Sequence, residues 1–193
     1  LKQLMLTNKI ICGSKSQRSF IKMFFPPSPY TYRELDNYFD TKSFLFDSDE
    51  HLWIATKKGI IRIMDSQKNL LGYLSPDGEL AQTETVFAEG GIYVMLKDQA
   101  QTIWLGSKEN GLFRLVPRNR PYHYEVYHYM NNPSDPYSIS DNKISCIDED
   151  HNGRIWIGTY GGGLNLVEEK EDGAIRFIHA ENKLSGFPIN RTN

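Results

Sequence analysis

The segment Asp148-Glu-Asp150-His-Asn152-Gly153 opens like a calcium-binding loop, with oxygen-bearing side chains at its first, third and fifth positions and glycine at its sixth. Such a loop needs a bidentate acid at its twelfth position. That position is Thr159, and the residues between read as a strand. Carboxylates recur at Asp47 and Asp49, at Asp98, and at Asp148 and Asp150. Two of them meeting in unequal surroundings would suit general acid–base work. They recur in one register, however, and turn capping explains that more simply. The histidines, His51, His123, His128, His151 and His179, have no metal-ligand spacing, and neither His-Glu-x-x-His nor Cys-x-x-Cys occurs. His51 and His151 stand in equivalent turn regions and are expected to face solvent. Tyr160-Gly-Gly-Gly163 looks like a phosphate loop, but such loops lead into a helix and here a strand follows. No catalytic residue, metal ligand or cofactor is expected.

What the acids share is a repeat. Asp47-Ser-Asp-Glu-His-Leu-Trp-Ile-Ala-Thr56, Asp98-Gln-Ala-Gln-Thr-Ile-Trp-Leu-Gly-Ser107 and Asp150-His-Asn-Gly-Arg-Ile-Trp-Ile-Gly-Thr159 each place Asp six residues before Trp. Each sets aliphatic residues on both sides of the Trp, then a small residue, then a hydroxyl. Each continues into a glycine-led apolar run: Gly59-Ile-Ile-Arg-Ile63, Gly111-Leu-Phe-Arg-Leu115 and Gly163-Leu-Asn-Leu-Val167. Trp53, Trp104 and Trp156 are the only tryptophans, and they stand 51 and 52 residues apart. A period near fifty marks an array of supersecondary units.

Around each Trp the apolar pattern has a period of two, which is a strand. An apolar run precedes each Asp: Phe44 to Phe46, Tyr93 to Leu96 and Ile144 to Ile147. A fourth strand follows the glycine-led run: Asn69 to Leu74, Tyr122 to Tyr129 and Ala174 to Ile178. Four short antiparallel strands per unit describe an all-β propeller blade. The Asp caps a hairpin turn. The Trp packs on the next blade. The small residue (Ala55, Gly106 or Gly158) leaves room for a neighbouring backbone.

This divides the chain into a partial, eroded blade over residues 1–40, blades over 41–80, 81–130 and 131–180, and the start of another over 181–193. The eroded copy runs through Ile10 to Ser14 and Ser19 to Phe24. The last piece, Leu184 to Asn190, is similar to the Tyr137 to Ile144 lead-in of the third clear copy. Closed propellers need about 4–8 blades, so the expectation is a segment of a larger propeller.

Composition narrows the class. A net charge of -2 with no basic stripe argues against nucleic acid as a partner. No apolar run approaches the ~20 residues of a membrane span. Cys12 and Cys146 fall on strands of different repeats and are expected to act as small buried apolar residues.

The pattern from Asp150 to Leu164, with its Tyr137 to Ile144 lead-in, resembles the two-component regulator propeller repeat. The first copy departs from it, with Ala55 for glycine and Glu50 at the turn glycine; the second has Gln101 at that turn. The resemblance implies the periplasmic sensor region of an inner-membrane hybrid histidine kinase. Such regions are built of large propellers and are followed by an immunoglobulin-like domain, a membrane helix, the kinase and a DNA-binding response regulator. It implies an oligosaccharide ligand, a homodimeric parent and a non-catalytic role for this segment, with the remaining blades of the chain as its neighbours. Kinase parts are absent from these residues.

Function is then expected where the copies differ. Lys57 and Lys58, Lys108 and Asn110, and Tyr160 occupy one equivalent turn in successive blades and should cluster at one mouth, suited to a hydroxyl-rich or acidic saccharide. The stretch from Tyr122 to Tyr129 has no counterpart in the other blades, and Tyr124, Tyr127 and Tyr129 are candidates for a protein interface. Two rivals stand beside the sensor: a protein-interaction scaffold, and a propeller lyase, which would need a His and Tyr set that these residues do not supply.

Overall fold

The computed structural model describes residues 40–67 and 69–179. The eroded copy at Ile10 to Phe24, Cys12 and the Leu184 to Asn190 segment lie outside the described residues. Among the described residues every regular element is a strand. The strands are β1 (Thr41–Phe46), β2 (Leu52–Thr56), β3 (Ile61–Met64), β4 (Leu70–Leu74), β5 (Leu80–Ala81), β6 (Ile92–Lys97), β7 (Ile103–Ser107), β8 (Leu112–Pro117), β9 (Tyr124–Tyr129), β10 (Ile144–Glu149), β11 (Ile155–Thr159), β12 (Gly163–Glu169) and β13 (Ile175–His179). They form three antiparallel sheets in sequence order, β1 to β5, β6 to β9 and β10 to β13. The sheets are propeller blades. One feature departs from the four-strand expectation: the short β5 pairs with β4 and gives the first sheet a fifth strand.

Sheets stack through their first strands, β1 against β6 and β6 against β10. The Met95 N–H crosses the first seam to Ser43 Oγ at 3.0 Å. Apolar side chains fill both seams. Trp53, Ile61 and Ile63 meet Ile92, Leu105 and Phe113 in one; Trp104 and Leu112 meet Ile144, Ile157 and Phe177 in the other. Covering roughly 150–250 Å² of Trp surface at about 25 cal/mol per Å² contributes roughly 4–6 kcal/mol of gross burial energy per ring.

The small residue behind Trp104 has a purpose other than the expected one. A methyl group on Gly106 would stand 2.5 Å from Val94 Cγ1 and 2.6 Å from Ile144 Cγ2. It makes room for an isoleucine side chain of the next sheet, not for a neighbouring backbone.

The glycine-led runs are also out of step with one another. Ala55 pairs with Ile61, Gly106 with Leu112 and Gly158 with Leu164. In the first sheet Gly59 therefore sits one position earlier in its turn than Gly111 and Gly163. A one-residue slip moves side chains to the opposite face. Arg62 accordingly lies across from Ile54, and Arg114 across from Trp104, with its guanidinium 5.6 Å from the indole.

Cys146 is exposed, not buried as expected. It shares the face of β10 and β11 that carries Gly158, turned away from the second sheet.

Candidate functional site

The turn between the first two strands of each sheet is the same device three times. The Trp53 indole N–H donates to Asp47 Oδ2 at 3.0 Å, Trp104 to Asp98 Oδ2 at 2.8 Å, and Trp156 to Asp150 Oδ2 at 2.9 Å. The other carboxylate oxygen takes turn amides: His51 N–H at 2.9 Å, Thr102 N–H at 2.8 Å and Arg154 N–H at 3.1 Å. The six-residue spacing thus spans one hairpin and brings the carboxylate over the indole nitrogen. The Trp156 indole, helped by Arg154, holds the Asp150 carboxyl well below the usual carboxylate range. The turn needs a left-handed residue ahead of the second strand. Gly153 meets this with φ 76°, while Glu50 and Gln101 adopt φ 62° and 67° in spite of their side chains.

The repeated hydroxyl closes the opposite turn. Thr56 Oγ1 accepts the Ile60 N–H at 3.1 Å, Thr159 Oγ1 accepts the Gly162 N–H at 3.2 Å, and Ser107 Oγ accepts the Asn110 N–H. Every repeated polar residue is therefore used within its own sheet.

Between that hydroxyl and the third strand lie the residues that differ. Lys57, Lys58, Lys108, Asn110 and Tyr160 occupy the turns after β2, β7 and β11, which lie at the end of each sheet opposite the Asp–Trp turns. Neighbouring turns touch. The Lys57 backbone packs under Gly91, and Gly90 packs on Glu109 Cβ. The Tyr160 N–H donates to the Lys143 carbonyl at 2.9 Å.

The expected cationic set is largely neutralised. Lys57 Nζ lies 2.8 Å from Asp40 Oδ1 and Lys58 Nζ 3.8 Å from Oδ2, and the Asp40 contact raises the Lys57 pKa. Asn110 is tied at its backbone, where its carbonyl accepts the His128 Nε2–H at 2.7 Å. Lys108 lines a concavity of about 370 Å³ with Glu109, Asp141, Asn142 and Lys143. Tyr160 is not part of that lining; it is 59% exposed and meets the concavity through Lys143, whose Nζ lies 3.6 Å from its ring centroid. Asp141, Asn142 and Lys143 were not singled out from the sequence. They belong to the lead-in, and its backbone pairing with the Tyr160 turn repeats that of Lys57 N–H with the Asp40 carbonyl.

The three tyrosines of β9 do not form one patch. Tyr124 stands edge-on to Trp53 of the first sheet at 5.8 Å, and burial lifts its pKa to about 12. Tyr129 faces the other way, edge-on to Phe177 of the third sheet at 5.4 Å. Tyr127 is the exposed one, with Arg114 5.9 Å from its ring. The strand covers the outer ends of both seams.

A second concavity, about 300 Å³, lies at the Asp–Trp end between the first two sheets, lined by Asp47, Asp49, Arg118, Arg120 and Tyr122 among others. Ligand atoms of Asp47, Asp49 and His51 fall within 4.8 Å of one another there. The Asp47 oxygens already accept the Trp53 indole and turn amides, and His51 Nδ1 is hydrogen-bonded to the Tyr122 hydroxyl. His51 is thus half-buried and bonded across the seam, not solvent-facing as expected.

Known proteins resemble this chain in sequence and in fold. Residues 138–161 match the family profile named two component regulator propeller. The chain is 24% identical over 165 residues to histidine kinase P4 of Formosa agariphila, which covers 78% of this chain and 11% of that protein. Its fold is similar to the extracellular domain of a hybrid two component system from B. thetaiotaomicron, with TM-score 0.52, 25% identity, and 79% of this chain and 18% of that one covered. PorZ, a surface component of the type-IX secretion system of Porphyromonas gingivalis, shares the fold with TM-score 0.55 at 15% identity, over 85% of this chain and 24% of its own. The chain therefore spans a small fraction of the relatives it matches. Residues 138–161, the lead-in and first two strands of the third sheet, carry this similarity to the two component regulator propeller repeat.

Proposed function

We propose that these sheets are part of the extracytoplasmic sensor region of a hybrid two-component system, and that the end carrying Tyr160 contacts a saccharide. The similarity to an extracellular domain of such a system supports the location and role. One observation carries the choice of site: Tyr160 is the most exposed of the large apolar and aromatic side chains among the described residues, and its ring meets Lys143, which with Lys108, Glu109, Asp141 and Asn142 lines a concavity. An aromatic face flanked by such groups can stack on a sugar ring and hydrogen-bond its hydroxyls. The role is binding, not turnover. A ligand that prefers one arrangement of the parent's propellers would shift that population and so pass the signal on.

The test is a calorimetric titration of the 193-residue chain with short neutral and uronic-acid oligosaccharides, repeated with Tyr160→Ala. Binding that depends on Tyr160 supports the site. Binding unaffected by Tyr160→Ala moves the site elsewhere, and no binding by any of them removes the saccharide reading.

A further inference from the structure

We infer that Tyr122 and His51 form a latch across the first seam that opens as His51 gains a proton. Tyr122 precedes β9 by two residues and belongs to the second sheet's outer turn, yet its hydroxyl and ring meet His51 and Trp53 of the first sheet's hairpin. Its hydroxyl is hydrogen-bonded to His51 Nδ1, and in the tautomer that carries the proton on Nε2 the phenol is the donor. Its ring lies 5.7 Å from the imidazole and 6.3 Å from the Trp53 indole, tilted to both. To reach them its backbone takes φ 54°, a left-handed conformation that an aromatic residue holds only when its surroundings impose it.

The second seam has no such device. The position equivalent to Tyr122 is Gly173, where an added methyl group would meet nothing within 4 Å. There the Gln99 N–H donates to the Glu149 carboxylate at 3.0 Å. The first seam is bridged by the His51 imidazole, a side chain whose charge changes between about pH 5 and 8, and His123 meets Glu79 across the same seam at 3.0 Å.

The chemistry at Nδ1 sets the direction. Neutral His51 with its proton on Nε2 offers Nδ1 as an acceptor, which the Tyr122 O–H requires. Burial and the charges of Asp47 and Asp49 keep the phenol protonated and therefore a donor. A second proton turns Nδ1 into a donor. The Asp47 carboxylate lies 3.4 Å from that atom, and a charge-assisted bond to it outcompetes one to a neutral phenol. Tyr122 then loses its acceptor while half-buried. The ionisable groups that face the imidazole are Asp47 and Asp49 on its own hairpin, Asp65 on the β3–β4 turn, and Tyr122 from the second sheet, with Arg118 and Arg120 lining the cleft alongside. Because Asp47 Oδ2 also holds the Trp53 indole, the change reaches the hydrogen bond of the repeat itself.

The test is a thermodynamic cycle on the 193-residue chain. Tyr122→Phe keeps the ring and removes the hydroxyl. It should lower the thermal midpoint by about 2–4 °C at pH 8 and leave it unchanged at pH 5. In the His51→Gln background its effect should be the same at both pH values. An equal Tyr122→Phe penalty at pH 8 and pH 5 in the native background overturns the latch, as does no penalty at pH 8. Should His51→Gln not fold, the indole N–H resonances of the native chain decide. The Trp53 signal should move with the His51 titration while that of Trp104 stays, and a stationary Trp53 signal overturns the inference.

Discussion

The two ends of these sheets follow opposite plans. At the Asp–Trp end one hydrogen bond is repeated three times within 0.2 Å, between 2.8 and 3.0 Å, although the turn residues around it change from His51 to Thr102 to Arg154. At the other end the hydroxyl that closes the turn is kept, while the three residues after it run from Lys57-Lys58-Gly59 to Lys108-Glu109-Asn110 to Tyr160-Gly161-Gly162. The first end spends its polar groups on the fold. The second leaves an exposed ring and unequal charges pointing outward. The difference teaches that a residue repeated in register is explained by its own sheet, and it is why the proposed ligand contact is put on the turn free to vary.

The comparison breaks most visibly at Asp98. It is 8% exposed and accepts both the Trp104 indole and the Thr102 amide. Asp98→Ala leaves both donors without a partner and should cost about 3 kcal/mol in urea unfolding. The next largest loss is expected from Gly106→Ala, where the new methyl group meets Val94 and Ile144. Overpacking of this kind costs about 1–3 kcal/mol, and the variant should lower the urea midpoint without changing the slope. Gln101→Gly should act in the opposite direction. Relieving a left-handed side chain should gain about 1 kcal/mol if the turn geometry is what the repeat requires.

A subtler effect is expected in acid. The folded Asp150 carboxyl is more acidic than an unfolded one, so its stabilisation is complete above the ordinary value of about 3.9 and is lost as pH falls toward its folded value. Urea midpoints measured from pH 5 downward should fall less steeply in Asp150→Asn than in the native chain. Parallel curves would mean that the Trp156 indole does not favour the charged carboxylate.

Much of the architecture was legible because it is periodic. Alternation around Trp53, Trp104 and Trp156 located the central strands, and the turn signals set the neighbours on either side. The six-residue Asp-to-Trp spacing was visible too, but its meaning was not. A turn cap accounts for the Asp alone, and only the folded hairpin reveals that its second oxygen reaches the indole. The short β5 escaped notice because Leu80–Ala81 is too brief to show alternation. The shift at Gly59 was hidden because the glycine is present in all three runs and only strand pairing fixes its register. At the variable end the turns that meet could be named, yet their charge balance could not. Asp40 and Asp141 lie in the lead-ins, distant in sequence from Lys57 and Gly161, and only the pairing of the first two strands of each sheet brings them together.

The central claim, that one end holds the fold and the other meets the ligand, is tested most directly at Tyr160. The measurement is the thermal midpoint and saccharide binding of Tyr160→Ala beside those of Asp98→Asn. Tyr160 is exposed, so its loss should leave the midpoint within about 1 °C of native while abolishing binding. Asp98→Asn should lower the midpoint and, in the fraction that stays folded, bind normally. A Tyr160→Ala chain that unfolds early, or one that binds as the native chain does, would contradict the account.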